Sequence, residues 1–111
     1  MPVYQSAYFV VRDDAREVCE HAIREFVEYV RANEPDTLLY TSLQEKEQPN
    51  HFLHYFIFRD EAARDLHANS EAVQRFTGVL YRNLVATVEF TEYQLFATTS
   101  ASGLSSEKSA G

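Results

Sequence analysis

The sequence predicts an α+β domain in which four antiparallel strands form one sheet and the helices cover a single face of it. Three observations carry this. First, the run from His51 to Asp60 is short, rich in bulky aromatics and preceded by a Pro49-Asn50 turn, features of a strand rather than a helix. Second, its apolar residues fall on both faces, Phe52, Phe56 and Phe58 on one and Leu53, Tyr55 and Ile57 on the other, so both faces need cover. Third, the segments around it read in the order strand, helix, strand, strand, helices, strand.

Residues Tyr4 to Val11 alternate loosely as the first strand. Asp14, followed three places later by Glu17, has the form of a helix N-cap with a capping box. From there Ala15, Val18, Cys19, Ala22, Ile23, Phe26, Val27 and Val30 recur at helical spacing, and the helix is expected to end near Asn33, ahead of Pro35. Thr37 to Glu45 suits a second strand. The polar connection Lys46 to Asn50 is of hairpin length and joins it antiparallel to the aromatic run. Asp60 is placed to cap a second helix through Ala62, Ala63 and Leu66. Ser70 is placed to cap a third, with a stripe of Val73, Phe76, Thr77, Leu80 and Leu84. Ala86 to Ala97 reads as a long last strand. This β-α-β-β-α-β order is the split, or ferredoxin-like, arrangement. With helices on one side only, the apolar second face is expected to be buried against the same face of another copy, as a two-fold homodimer.

At 111 residues the chain is long enough for one core and not for two. Residues 1–97 are expected to form the domain, and the Ser- and Ala-rich stretch 98–111 to be a mobile tail, because it holds too little apolar area to offset the cost of ordering. A formal charge of −7 argues against nucleic acid and anionic membranes as partners. The single Cys19 lies on a helical apolar stripe and reads as a small core residue. The N-terminal residues lack a basic start followed by an apolar run, and no apolar stretch is long enough to span a bilayer, so a cytoplasmic protein is expected. Metal binding is not expected either. His51 and His54 fall on opposite faces of one strand, and there is no Cys cluster.

Several short motifs in this frame resemble those of a known family. Glu34-Pro35-Asp36-Thr37-Leu38-Leu39-Tyr40 after the long helix, then Arg59-Asp60-Glu61-Ala62, Leu66-His67, Asn69-Ser70 and Val73 to Phe76, are similar in order and spacing to antibiotic biosynthesis monooxygenase (ABM) domains across residues 3 to 97. The resemblance implies a dimeric α+β barrel with a pocket between helices and sheet in each subunit. It also implies oxygenation of a small phenolic, quinol-like substrate by O₂ without metal, flavin or other cofactor. Haem-degrading relatives use an Asn on the first strand, a Trp on the third and a His on the second helical region. Here only His67 matches: Phe58 stands at the apparent Trp position and no Asn precedes Asn33, so the resemblance does not extend to haem degradation.

Such chemistry needs a base to make the reducing phenolate and a dry aromatic pocket to hold it. His67 is the first candidate base, through the family position; a helix C-terminal histidine bonded to carbonyls is the alternative. His54 shares a face with Phe52, Phe56 and Phe58, so it must meet a hydrogen-bond partner or a ligand. Tyr8 and Tyr40 are candidates to place hydroxyls in the same cavity. Phe56, Phe58, Phe76 and Tyr81 are candidates to wall a flat ligand's pocket, and core packing accounts for them equally. A non-catalytic dimeric module of stress response or regulation, which binds a small apolar ligand or simply packs, is the competing reading.

Overall fold

The computed structural model describes residues 1–100. In chain order its regular elements are β1 (Val3–Val10), α1 (Arg16–Asn33), β2 (Thr37–Gln44), β3 (His51–Phe58), α2 (Glu61–Ala68), α3 (Glu71–Leu80) and β4 (Glu89–Tyr93), with 3₁₀ turns at Asp13–Ala15 and Tyr81–Asn83. The strands form one sheet in the order β2-β3-β1-β4, every neighbouring pair antiparallel. This is the predicted α+β ferredoxin-like architecture.

Register decides which side chains meet the helices. Phe56 stands opposite Gln5 on one side and Tyr40 on the other, and His54 opposite Ala7 and Ser42. One sheet face therefore carries Phe9, Tyr40, Phe52, His54, Phe56 and Phe58. The apolar stripe of α1 packs on it through Cys19, Ile23, Phe26 and Val30, joined by Ala72, Phe76 and Leu80 of α3. The opposite face holds Tyr4 and Ile57, both buried with Leu38 at their side, but also Leu43, Leu53 and Tyr93, which remain exposed.

Local signals explain most boundaries. Asp60 caps α2 by accepting a hydrogen bond from the Ala63 N–H at 2.9 Å, and Ser70 caps α3 by accepting from Val73 at 3.1 Å. The Glu45 N–H donates to the His51 carbonyl and His51 N–H to that of Gln48, closing the β2–β3 hairpin.

Two expectations differ from the structure. Asp14 does not cap α1: the 3₁₀ turn precedes the helix, the cap position is Ala15, and Asp14 instead pairs with Arg12 at 3.1 Å. The last strand spans five residues, not Ala86 to Ala97. It pairs only with β1, from Tyr8↔Glu89 to Tyr4↔Tyr93, and in this register Leu95 would face Pro2, which has no N–H to offer. Its other end is cut by a register shift between the Val11↔Leu84 bridge and Glu89. Of the expected tail, residues 98–100 are without helix or strand; the remainder lies outside the described residues. Among the described residues no helix is long and apolar enough to cross a membrane, and no group of three or more His, Cys, Asp or Glu side chains is placed to hold a metal ion.

Candidate active site

Between the helices and the sheet lies a cavity of about 410 Å³, within the range of small-ligand sites. Its floor comes from β1, β2 and β3, and its walls from α1, α2 and α3. The residues singled out from sequence converge on it with one exception: His54, His67, Tyr40, Phe56, Phe58, Phe76 and Tyr81 all line the cavity. Tyr8 does not. It belongs to the other face of β1, where its hydroxyl meets His51 Nδ1 and Glu45 stands 3.8 Å from that same nitrogen. The reason is the register: Gln5, Ala7 and Phe9 of β1 point to the helices, so Tyr8 between them must point away. Tyr8 and Tyr40 are on opposite sides of the sheet.

The aromatic walls are ordered. Phe26 stacks on Phe76 with ring centroids 4.6 Å apart and planes within 4°, and Tyr40 stacks on Phe56 at 5.0 Å and 6°. The two stacks meet nearly at right angles, Phe26 to Tyr40 at 86°. Each such pair contributes roughly 0.5–1.5 kcal/mol beyond its buried area.

His54 is only 1% exposed. Its ring is edge-on to Phe9 at 4.9 Å and faces Phe76 at 6.0 Å. Nδ1 is 2.9 Å from the Tyr40 hydroxyl, whereas Nε2 is buried and makes no hydrogen bond. Burial pulls its pKa down to about 4, so the ring is neutral near pH 7. Burial also raises the pKa of the Tyr40 hydroxyl, and the negative charge of Glu34 raises it further. The Tyr40–His54 pair is thus neutral at physiological pH and can exchange donor and acceptor roles without either partner becoming charged.

His67 occupies the last turn of α2. Its ring lies 5.1 Å from Phe58, 5.6 Å from Phe26 and 5.7 Å from Tyr40. Nδ1 is 2.7 Å from Glu34 Oε1, and the same oxygen accepts a 2.7 Å hydrogen bond from Thr37 Oγ1. Both side chains of this His–Glu pair are about nine-tenths buried. His67 is therefore held by a carboxylate from another element, not by the carbonyls of its own helix.

Gln5, Phe9, Phe26 and Arg64 also line the cavity and are not among the site residues expected from sequence. Phe9 and Phe26 were legible only as core: a strand alternation and a helical stripe show which residues face inward, not which part of the interior stays open. Arg64 is visible in sequence only as a charged helix residue, and it reaches the cavity rim while pairing with Glu61 and Asp65.

The geometry can be set beside known proteins. An antibiotic biosynthesis monooxygenase of known structure superposes with a TM-score of 0.80 at 22% identity, covering 86% of this chain and 99% of that one. A protein from Mycobacterium tuberculosis gives 0.81 at 20% identity, covering 90% and 100%. A protein from Pseudomonas aeruginosa gives 0.74 at 25% identity, covering 86% and 95%. No curated protein matches the sequence. The family model for antibiotic biosynthesis monooxygenases matches residues 2–78, well over half of the chain, and the chain belongs to that family.

Proposed function

We propose that the protein is a cofactor-independent monooxygenase that oxidises a small, flat aromatic of the quinol or polyphenol class with O₂. The observation that carries this reading is the aromatic cavity of about 410 Å³ with two histidines in its wall. A quinol supplies all the electrons the reaction needs. The base removes a hydroxyl proton, the resulting phenolate passes one electron to O₂, and the radical pair joins to a ring carbon as a peroxide. Loss of water then leaves a hydroxyquinone. One oxygen atom ends in the product and one in water, with both quinol hydroxyls oxidised to carbonyls and one ring C–H converted to C–OH.

The two histidines divide the work in this reading. A ring whose pKa is about 4 is a weak base near pH 7, so His54, held on Nδ1 by the Tyr40 hydroxyl, suits hydrogen bonding to a substrate oxygen through Nε2, which has no partner among the described residues. His67, lining the same cavity, takes the proton. Phe56, Phe58 and Phe76 hold the ring of the substrate and keep water out, and Tyr81, 52% exposed, stands at the opening. The working unit is a homodimer formed through the open sheet face, where Leu43, Leu53 and Tyr93 are exposed.

Oxygen uptake by the purified, metal-free protein with a panel of hydroquinones, naphthoquinols and anthrones tests the proposal. Uptake well above autoxidation, lowered about 100-fold or more in His67→Ala, is the expected result. Tight binding of these compounds with no uptake beyond autoxidation would support instead a non-catalytic ligand-binding module.

A further inference from the structure

We propose that Glu34 is a positioning residue for His67: its carboxylate holds the ring proton on Nδ1 and so presents Nε2, unprotonated, to whatever occupies the cavity. The inference rests on the reading of His67 as the cavity's base. It starts from the place where Glu34 stands. Glu34 directly follows the last residue of α1, and its own N–H donates to the Val30 carbonyl at 3.0 Å. A helix C-terminus carries the negative end of the macrodipole, and a carboxylate there is disfavoured; a nine-tenths buried one is costlier still. Helix termination therefore does not account for a glutamate at this position. Two short contacts offset that cost: Thr37 Oγ1 donates to Oε1, and His67 Nδ1 stands 2.7 Å from the same oxygen.

The aromatic neighbours of His67 offer no group that competes with Glu34 for the choice of tautomer. A neutral imidazole carries its proton on one nitrogen only. Phe26, Phe56 and Phe58, packed around the ring, have no polar atoms. Tyr40, the remaining aromatic neighbour, has its hydroxyl engaged with His54 Nδ1 at 2.9 Å. A carboxylate can only accept, so at 2.7 Å the proton between Glu34 and His67 belongs to Nδ1. The same logic, a carboxylate fixing a catalytic imidazole in one tautomer, operates in serine hydrolases; here it joins the ends of two helices 33 residues apart in sequence.

The test uses the full chain and two readouts. Imidazole ¹⁵N NMR, with the His67 signals assigned by their loss in His67→Gln and the pH raised until the ring is neutral, reads the tautomer directly. The expected spectrum has an N–H-type Nδ1 and a pyridine-type Nε2. In Glu34→Gln the carboxamide donates as well as accepts, so the Nε2–H form becomes substantially populated. A wild-type spectrum dominated by Nε2–H, or a tautomer unmoved in Glu34→Gln, overturns the proposal; the wild-type spectrum decides even if the variant does not fold. The second readout is turnover of a quinol, where Glu34→Gln is expected to lower kcat about 10- to 100-fold with KM within about twofold. If the tautomer is as expected but no quinol is oxidised, the oxygenase reading fails and the positioning role stands. If quinols are oxidised through an Nε2–H ring, the reverse holds.

Discussion

In an unfolded chain a histidine titrates near 6.5, whereas inside the cavity wall His54 titrates at about 4 because burial disfavours its charged form. Between these two values the unfolded state binds the proton and the folded state does not. Stability therefore rises with pH across this window, and the contribution of His54, about 3 kcal/mol, is present above pH 6.5 and lost as the pH falls toward 4. Urea denaturation at pH 7.5 and 4.5 measures this. The double variant His54→Phe with Tyr40→Phe removes the titrating ring together with its partner, leaving no orphaned hydroxyl, and is expected to lose about 2–3 kcal/mol less than the wild type over the same interval. An unchanged difference would mean that other groups carry the acid sensitivity. A single Tyr40→Phe change should cost about 1–3 kcal/mol at pH 7.5, since it strands the second nitrogen of a ring whose first already has no partner.

Helix α2 has eight residues, too few to be stable in isolation, yet it delivers His67. Its N-cap hydrogen bond from Ala63 N–H to Asp60 is thus expected to matter for the site as well as for stability: Asp60→Ala should destabilise the fold by about 1 kcal/mol in urea denaturation. The same variant should broaden the NMR signals of His67 while leaving those of His54, which is carried by β3, in place. Equal effects on both rings would show that the cap acts on the whole fold and not on α2 in particular. The two caps at Asp60 and Ser70 could be read in sequence because an Asp or Ser before a short apolar repeat has few other uses. Asp14 has the same form and fails, because the nearby Arg12 side chain takes its carboxylate, an interaction that sequence spacing does not rank against capping. The aromatic strand was legible for its composition, and its inward face for its alternation. That Tyr8 and Tyr40 part company was not, since the face each occupies depends on how β1 and β2 register against β3. The Glu34–His67 contact was hidden for a related reason: it exists only because the fold brings the ends of α1 and α2 together.

At the scale of the molecule, the sheet is covered by helices on one face and offers Leu43, Leu53 and Tyr93 on the other. A dimer through that face predicts that Leu53→Asp shifts the sedimenting species at micromolar concentration from dimer to monomer; a wild-type monomer would contradict it. The four-stranded order β2-β3-β1-β4 was foreseeable from the succession of elements, while the volume left open between helices and sheet was not, since it depends on how Phe26, Phe76, Tyr40 and Phe56 stack. That open volume is where a quinol would meet O₂, and incorporation of label from ¹⁸O₂ reports on the reaction itself. With purified, metal-free protein and a quinol that is turned over, one labelled atom per turnover should appear in the hydroxyquinone and the other in water, and both should vanish in His67→Ala. Quinone without label, accompanied by hydrogen peroxide, would show simple oxidation instead of oxygen insertion and would contradict the monooxygenase reading.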